Sequence, residues 1–365
     1  MAQQQFTDAD RAHMAHALRL GRRNLGRVAP NPSVGCVLVK DGVIVGRGVT
    51  QPGGRPHGET TALAHAGERA RGATAYVALE PCSHYGRTGP CVDALARAGV
   101  ARVICAIGDP DPRVRGRGFA MLTSYGLGVA VGLDEAEAGL DHRGHFARIQ
   151  LGRPFTQLKL ALTEDGFVGP ASGARMAITG PRANDRVHMM RAEADAIMVG
   201  IGTVIADDPA LTCRLPGLAS RSPSRVVIDP DLRTPLTANV VTTAQEVPTT
   251  VIAATDAPGA SEASLRAAGV TVWRVERLPS GRLNIGDGLR LLATQGITRL
   301  MIEGGPTLAG SMLDADLIDE VVIFRAPITL GAGRPAFPNP LPLHRFTAVD
   351  TTLFGAENRT IYRKV

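Results

Sequence analysis

The stretch from Pro56 to Cys91 opens with Pro56-His57-Gly58-Glu59 and closes with Pro81-Cys82-Ser83-His84-Tyr85-Gly86-Arg87-Thr88-Gly89-Pro90-Cys91. One imidazole and two thiols are ligand types that zinc prefers, and a catalytic zinc usually keeps three protein ligands and one open position. Glu59, two residues after the histidine, completes the His-x-Glu…Pro-Cys order that is typical of hydrolytic base deaminases. We therefore predict that His57, Cys82 and Cys91 bind zinc and that Glu59 is the catalytic acid–base group.

The spacing of the two cysteines leaves an alternative open. Many base deaminases have two residues between these cysteines, whereas this chain has eight. The alternative is a pair of structural thiols with an unrelated histidine. In the zinc interpretation, the metal lowers the pKa of its bound water from about 15.7 to about 7. Glu59 then carries the water's proton to the ring nitrogen and to the departing ammonia.

Three further side chains near these motifs are candidate substrate contacts. His84 and Arg87 lie between the two cysteines, where they are either ordinary turn residues or ligands of a substrate phosphate. Asn31 lies in the breaker cluster Pro30-Asn31-Pro32-Ser33. It is either a turn former or an amide that reads the edge of a base.

Length and composition limit the classes of protein that this chain can be. Its 365 residues suggest two domains, and 44% apolar residues allow each domain a core. The net charge of +6 is spread over scattered arginines, which suits an anionic small molecule and does not favour nucleic acid as a partner. Because the chain has neither an apolar signal segment nor a run of about 18 apolar residues, we expect a cytoplasmic protein with no membrane partner. We also expect a homo-oligomer.

The five cysteines are Cys36, Cys82, Cys91, Cys105 and Cys213. An odd number in a reducing compartment favours metal binding over a disulfide for the clustered pair. We predict that Cys82 and Cys91 both lie at helix starts, where the helix dipole stabilises a thiolate. The other three are expected to be buried thiols.

Breaker residues and hydrophobic periodicity predict the elements of the first half. Thr7 and Asp10 form a capping box at the first helix, and Asp41-Gly42 is a hairpin turn. The expected helices are 6–20, 58–70, 92–98, 118–125 and 135–148, and the expected strands are 34–39, 43–47, 74–79, 102–107 and 128–131. In the last helix, His142 and His145 are expected to be solvated.

The breaker Gly152-Arg153-Pro154 suggests a domain boundary between residues 1–150 and 151–365. Strand and helix signals alternate again after it, and Pro181 lies early in a helix. The expected strands are 155–162, 196–199, 225–228, 249–253, 270–275, 299–302 and 320–324, and the expected helices are 181–192, 201–205, 285–294 and 307–313. Ile361 is expected in a last edge strand.

A second motif, Glu303-Gly304-Gly305-Pro306-Thr307-Leu308-Ala309-Gly310, combines a strand end, a Gly-Gly turn and a helix start. Glycines let a ligand approach the backbone closely, and the N–H groups of a helix start bind phosphate. The alternative is a plain strand-to-helix turn. The G-x-G-x-x-G order of a Rossmann unit is absent.

Together these motifs resemble the bacterial bifunctional riboflavin biosynthesis family RibD. The matching segments are PNPSVGCVLVKDG (30–42), PHGE (56–59), LEPCSHYGRTGPC (79–91), QLKLALT (157–163), ADDPALTCR (206–214), VVIDP (226–230) and IEGGPTLAGS (302–311). The resemblance implies an α/β protein with an N-terminal cytidine-deaminase-like three-layer domain over 1–150. It also implies a C-terminal dihydrofolate-reductase-like domain over 151–365.

The activity that the resemblance implies has two steps. The first is zinc-dependent deamination of 2,5-diamino-6-(5-phosphoribosylamino)pyrimidin-4(3H)-one, and the second is NADPH-dependent reduction of the ribosyl group to ribityl. The implied NADPH contacts are Ala161, Thr203, Asp207, Gly305, Pro306, Thr307, Leu308, Ala309, Gly310 and Ser311. The implied substrate contacts are Lys159, Arg191, Leu211, Arg214 and Glu303.

Simple chemistry suits some of these contacts. Arg191 and Arg214 can bind the ribose phosphate with a bidentate fork, and Glu303 can accept hydrogen bonds from sugar hydroxyls. The alternative for either arginine is a solvated surface position.

The chain departs from the family pattern in two places. Gly89 stands where the family usually has Pro. The family commonly reads Ser-Gly-Glu-Ser-x-Trp-Ile-Thr, whereas this chain reads Ser172-Gly173-Ala174-Arg175-Met176-Ala177-Ile178-Thr179. Ala177 therefore lacks a ring that could pack on the cofactor, and Arg175 becomes a hypothetical phosphate contact.

Two other functions stay open at this point. One is a monofunctional deaminase with a degenerate reductase-like half, which the changes at Arg175 and Ala177 suggest. The other is a basic deaminase that acts on nucleic acid, which an aromatic content of only 4% disfavours.

Overall fold

In the computed structural model, the chain divides between Arg153 and Pro154 into two units, each with its own main sheet. The structure describes residues 6–86, 88–172, 176–337 and 343–365. Among these residues, no helix combines the length and the apolar character that a membrane crossing requires.

The first unit alternates helices with the strands of a five-stranded sheet. Its elements are α1 Asp8–Arg22, β1 Gly35–Lys40, β2 Val43–Val49, α2 Gly58–Ala66, β3 Thr74–Val77, α3 Cys91–Arg97, β4 Arg102–Cys105, α4 Arg117–Ser124, β5 Gly128–Val131 and α5 Glu135–Leu151. The strand order is β2-β1-β3-β4-β5. β1 is antiparallel to β2 and β3, whereas β3, β4 and β5 are parallel.

Two glycines show that helices cover both faces of this sheet. A Cβ atom on Gly35 would lie 1.9 Å from the Ala17 carbonyl of α1, and one on Gly48 would lie 2.1 Å from the Gly58 carbonyl of α2. Gly35 of β1 pairs with Val49 of β2, so Gly48 is the neighbour in sequence of the residue opposite Gly35. Because successive side chains of a strand point to opposite faces, α1 and α2 lie on opposite sides of the sheet.

Most of the predicted elements of this unit are present, with two corrections. The capping box of Thr7 and Asp10 is confirmed. Helix α2 ends at Ala66 rather than at residue 70, because Gly67 adopts a φ of 57° and a 3-10 turn follows. The prediction that His142 and His145 are solvated is wrong, since they are 2% and 8% exposed. They share the buried face of α5 with Ala138, at a spacing typical of one helix face.

The second unit is built around a nine-stranded sheet. Its elements are β6 Phe155–Leu162, β7 Phe167–Pro170, α6 Pro181–Glu193, β8 Ala196–Gly200, α7 Ile201–Asp207, β9 Ser224–Ile228, α8 Asn239–Thr242, β10 Thr249–Ala254, α9 Gly259–Ala267, β11 Thr271–Val275, α10 Ile285–Thr294, β12 Arg299–Ile302, α11 Pro306–Asp314, β13 Glu320–Arg325, β14 Gly333–Pro335, β15 Phe346–Phe354 and β16 Glu357–Lys364. The sheet order is β11-β10-β9-β8-β12-β6-β13-β16-β15, and β14 pairs separately with β7.

Strand β8 shows how this sheet divides two cores. Ala196 and Met198 belong to one buried cluster, whereas Ile197 and Val199 belong to another. Alternation of this kind places apolar side chains on both faces, as a mainly parallel sheet covered by helices requires. The expected position of Ile361 in an edge strand is wrong, because Ile361 lies in β16 and the edge strand is β15. The mostly exposed β15 carries no hydrophobic alternation that predicts a strand.

Gly48→Ala tests the close approach of α2 to β2. The added Cβ would lie 2.1 Å from the Gly58 carbonyl and 2.4 Å from the Ala62 nitrogen. Because backbone atoms cannot yield as a flexible side chain does, we expect the free energy of unfolding to fall by about 1–3 kcal/mol. Urea unfolding of the full chain measures this loss.

Gly139→Ala is the matched control for that substitution. Its Cβ would meet only the Ile107 Cδ1 atom, at 3.8 Å, and alanine favours a helix over glycine. The control should therefore be at least as stable as the wild type. Equal stability of Gly48→Ala and the wild type would contradict the packing described for α2.

Candidate active sites

The start of α2 places His57 and Glu59 beside the sheet. His57 is the N-cap residue of α2 and has an extended backbone. Glu59 is 3% exposed and lies in the first turn of the helix. A Cβ atom on Gly58, between them, would lie 2.2 Å from the Val34 carbonyl, so this position requires a glycine for α2 to begin so close to β1.

The two cysteines come from different kinds of structure. Cys91 is the first residue of α3, as the sequence predicts. The prediction that Cys82 also lies at a helix start is wrong, because it lies in the irregular segment between β3 and α3. The helix still acts on it, since the backbone N–H of Cys91 donates to the Cys82 Sγ atom at 3.2 Å. The unpaired N–H groups at the start of α3 therefore stabilise charge on the Cys82 sulfur.

Three donor atoms converge at this point. The Nδ1 atom of His57 lies 3.6 Å from the Sγ atom of Cys82 and 3.4 Å from that of Cys91. Donors about 2.0–2.3 Å from one tetrahedral zinc lie about 3.3–3.8 Å from one another. All three donor atoms lie within 4.8 Å of one another. The donor set and its spacing therefore fit a zinc ion.

Of the three donors, only Cys82 has its pKa shifted towards the form that binds metal. The thiol of Cys91, followed by the imidazole of His57, lowers the pKa of Cys82 to about 4. The Cys82 sulfur raises the pKa of both Cys91 and His57, so a single negative charge rests on Cys82. A thiolate is the form of cysteine that binds metal.

Glu59 has the properties of a proton carrier. Burial raises its pKa, more strongly than the nearby His57 lowers it. Its Oε2 atom is buried and has no hydrogen-bond partner among the described residues. A carboxyl group with a raised pKa and an open oxygen can both take up and deliver a proton.

The three other predicted contacts of this site, Asn31, His84 and Arg87, differ in what the structure shows of their hydrogen bonds. Asn31 donates from Nδ2 to the Gly54 carbonyl at 2.8 Å, which ties its loop to the turn before His57. His84 is half-buried, and its Nδ1 atom has no partner among the residues that the structure describes. Arg87 lies outside the described residues, so its predicted role stays a prediction.

In the second unit, two helix starts lie side by side. β8 and β12 are neighbouring parallel strands, followed by α7 and α11 respectively. Gly305 caps α11, Pro306 is its first residue, and the Oγ1 atom of Thr203 lies 3.5 Å from the Cβ position of Gly305. A helix N-terminus at the carboxyl edge of parallel strands is a typical phosphate-binding position.

The predicted NADPH contacts divide into two groups. The first group can be reached from outside. Its exposed members are Thr307 and Asp207, and its half-buried members are Gly305, Pro306, Ser311 and Ala161. Leu308, Ala309 and Gly310 are buried, and the first two pack in the core beneath α11. The side chains of Leu308 and Ala309 face the core and Gly310 has none, so all three can contact a cofactor only through the backbone.

A largely buried ion pair lies beside these helix starts, with its two side chains 11% and 13% exposed. Arg191 of α6 donates from Nε and Nη2 to the two carboxylate oxygens of Glu303 at 2.7 and 2.8 Å, and from Nη1 to the Thr212 carbonyl at 2.9 Å. Because these contacts occupy its guanidinium, Arg191 is better placed to orient Glu303 than to bind a phosphate. It is not the solvated arginine of the alternative interpretation.

Charge and burial oppose each other in this cluster. Burial would raise the pKa of Glu303, but Arg191 and then Lys159 lower it overall. Burial lowers the pKa of the Lys159 ammonium, and the carboxylate of Glu303 only partly offsets this effect. Lys159 is therefore an amine that releases its proton more easily than an ordinary lysine does.

The segment with Leu211 and Arg214 is held by a residue that the sequence did not single out. The Nδ1 atom of His188 accepts from the backbone N–H of Arg214 at 3.3 Å. Leu211 adopts a φ of 56°, and Arg214 is exposed. The only sequence signal for His188 is its position one helical turn before Arg191. Arg175 lies outside the described residues, and Ala177 is exposed.

Glu303→Gln tests the charge balance of this cluster. The change leaves Arg191 and Lys159 without their carboxylate, so we expect a loss of about 3–5 kcal/mol in unfolding free energy at neutral pH. Because the pKa of Glu303 in the folded protein lies below the ordinary 4.5, its contribution is complete above that pH. It is lost as the pH falls from 4.5 through the lower folded value. The difference in unfolding free energy between the wild type and the variant should therefore become smaller at acid pH.

Urea unfolding between pH 3 and pH 7 measures this difference in unfolding free energy, with exposed Glu164→Gln as the control. A surface change of this kind should alter stability by less than about 0.5 kcal/mol. A difference for Glu303→Gln that stays constant through acid pH would contradict the assigned pairing.

Comparison with known proteins agrees with this geometry. Residues 7–107 match the family model of the cytidine and deoxycytidylate deaminase zinc-binding region, and residues 154–358 match that of the RibD C-terminal domain. The riboflavin biosynthesis protein RibD of Escherichia coli is 42% identical over 329 residues, which cover 88% of this chain and 89% of that protein.

Solved structures are similar over nearly the whole chain. Acinetobacter baumannii RibD, form 1, is 36% identical with a TM-score of 0.86 and covers 98% of this chain and 99% of that one. A diaminohydroxyphosphoribosylaminopyrimidine deaminase/5-amino-6-(5-phosphoribosylamino)uracil reductase from Thermotoga maritima is 30% identical, with a TM-score of 0.86 and the same coverage. The predicted α/β fold class, with a deaminase-like and a reductase domain, is confirmed. Zinc serves the deaminase domain and NADPH the reductase domain. The chain thus belongs to the RibD family of bifunctional riboflavin biosynthesis deaminase–reductases.

Proposed function

We propose that the first unit deaminates 2,5-diamino-6-(5-phosphoribosylamino)pyrimidin-4(3H)-one and that the second reduces the ribosyl group of the product. The observation that carries the first step is the convergence of His57 Nδ1 with the sulfurs of Cys82 and Cys91, beside buried Glu59. The substrates named for the Thermotoga maritima relative support the choice of this compound.

In the deamination, His57, Cys82 and Cys91 would hold zinc, which supplies a water of lowered pKa. Glu59 takes a proton from the attacking water through its open Oε2 atom. Glu59 delivers this proton to the ring nitrogen as the C–O bond forms. It then moves a second proton, from the added hydroxyl group to the amino group, so that the C–N bond breaks and ammonia leaves as a neutral molecule. The raised pKa of Glu59 suits both directions of transfer.

Substrate recognition in this unit falls to side chains around the metal ligands. Asn31, fixed through its Nδ2 atom, presents its amide oxygen to the amino edge of the pyrimidine. His84 and Arg87 bind the ribose phosphate from the segment between the cysteines. These assignments rest on position and donor chemistry.

In the reduction, NADPH would supply a hydride. C1 of the ribosyl group gains the hydride, the bond between C1 and the sugar ring oxygen breaks, and that oxygen gains a proton. The cofactor binds at the start of α11, over Gly305–Ser311, and contacts Thr203, Asp207 and Ala161. The backbone N–H groups at this helix start hold its phosphate. Glu303, oriented by Arg191, binds the sugar hydroxyls, and Lys159, whose pKa is lowered by burial, donates the proton. Arg214 binds the phosphate, Leu211 contacts the substrate, and Arg175 remains a hypothetical phosphate contact.

We further propose that the protein works in the cytoplasm as a homo-oligomer on phosphorylated small molecules. The free thiols of Cys82 and Cys91 support a reducing compartment, since oxidation to a disulfide would remove two metal ligands. The positive net charge suits an anionic substrate.

Glu59→Gln separates the two activities. The variant should keep zinc, because Glu59 is not among the converging donors, and it should lose ammonia release from the diaminopyrimidine by about 100- to 10,000-fold. It should still oxidise NADPH when given the deaminated product. Zinc content, ammonia release and NADPH absorbance are the three measurements.

Cys82→Ser is the comparison, and it should lose zinc together with deamination. Deamination by Glu59→Gln at the wild-type rate would refute the role of Glu59. Failure of the wild-type protein to oxidise NADPH with the deaminated product would refute the reductase step. That outcome would favour a monofunctional deaminase, which the exposed Ala177 suggests.

A further inference from the structure

Cys82 is the one proposed zinc ligand that no helix or strand holds. His57 caps α2 and Cys91 begins α3, whereas Cys82 lies in the segment between β3 and α3. The Cys82 carbonyl accepts from the Val92 N–H at 3.3 Å, which ties only its C-terminal side. The Cys91 N–H also donates to the Cys82 sulfur at 3.2 Å, so both contacts tie Cys82 to the start of α3. Other contacts must hold the chain on its N-terminal side.

Glu80, two residues earlier, makes that connection. Its side chain is 4% exposed. Its Oε2 atom accepts from the backbone N–H groups of Asp109 and Gly116 at 3.2 and 3.1 Å, and its Oε1 atom accepts from that of Gly118 at 2.9 Å. The carboxylate thus joins the chain before Cys82 to the segment 109–118.

The segment 109–118 is itself anchored and packed tightly. The Nε2 atom of His145 in α5 lies 3.0 Å from the Oδ1 atom of Asp109, so the buried face of α5 supports this segment. The Ser83 hydroxyl donates to the Arg113 carbonyl at 3.2 Å. A Cβ atom on Gly118 would lie 2.4 Å from the Pro81 carbonyl, which shows that the two segments touch at the residue before Cys82.

We propose that Glu80 is a positioning residue of the zinc centre. By accepting hydrogen bonds from the segment 109–118, Glu80 holds Cys82 opposite His57 and Cys91. This inference rests on the proposed zinc site and adds a residue that does not touch metal or substrate. Partners that orient metal ligands typically contribute 10- to 100-fold in metal affinity. An effect of that size is expected because the backbone contacts of Cys82 would remain.

The carboxylate can be tested by an isosteric change. Glu80→Gln keeps the shape but has one acceptor oxygen instead of two, so its NH₂ group must face at least one backbone N–H donor. The segment should then move, and Cys82 with it. We expect zinc release to a chromogenic chelator to become about 10- to 100-fold faster than in the wild type. The visible spectrum of the cobalt-substituted protein, which reports sulfur ligation, should also change.

Asp10→Asn is the matched control. Asp10 is also a buried carboxylate of the first unit, 5% exposed, and it accepts from the Thr7 N–H and the Tyr76 hydroxyl at 2.9 and 2.8 Å. Its loss should lower thermal stability while leaving zinc release within about twofold of the wild type and the cobalt spectrum unchanged. A purely structural role for Glu80 would make the two variants behave alike, and that result would overturn the proposal.

Gly118→Ala gives a second test if Glu80→Gln does not fold. The added Cβ would push from the segment 109–118 against the Pro81 carbonyl, next to Cys82. Faster zinc release and an altered cobalt spectrum would support the proposal. Wild-type behaviour of this variant would refute it. If the wild-type protein binds no zinc, the metal centre itself fails, whereas tight zinc binding by both wild type and Glu80→Gln refutes only the role of Glu80.

Discussion

The first unit depends on bringing one imidazole nitrogen and two sulfurs to within 4.8 Å of one another. These atoms come from three separate parts of the chain, and each is held differently. Close packing of α2 on β2 at Gly48 fixes His57, the start of α3 fixes Cys91, and buried hydrogen bonds fix the segment with Cys82. The cost of crowding two thiols and an imidazole is offset when a cation binds, which links the fold to its metal.

The two units use buried carboxylates in opposite ways. In the first unit, burial dominates at Glu59 and raises its pKa, which suits a group that must carry a proton. In the second, Arg191 and Lys159 outweigh burial at Glu303 and lower its pKa, which suits a fixed acceptor of hydrogen bonds. The same side chain thus has different chemistry because its neighbours differ.

Much of the first site could be predicted from sequence because ligand chemistry is local. His-x-Glu and Pro-Cys each identify their residues without knowledge of the fold, and the zinc interpretation fits the observed donor spacing. The position of Cys82 could not be predicted, because the hydrogen bonds from segment 109–118 to Glu80 join residues about 30 or more positions apart. The burial of His145 was missed although its spacing from Ala138 on α5 carries the signal.

In the second unit, the alternation of strands and helices predicted the sheet, but not the use of individual side chains. Arg191 looks like a phosphate ligand in sequence, and only the structure shows its guanidinium paired with Glu303. The polar strand β15 has no pattern to reveal it. Partners distant in sequence, and strands without an apolar face, are what local patterns cannot supply.

X-ray absorption at the zinc edge of the purified protein tests the central claim most directly. Two sulfur ligands at about 2.3 Å, one imidazole nitrogen at about 2.0–2.1 Å and one further light atom are the predicted shell. A shell without sulfur, or one made of four sulfurs, would contradict a centre built from His57, Cys82 and Cys91.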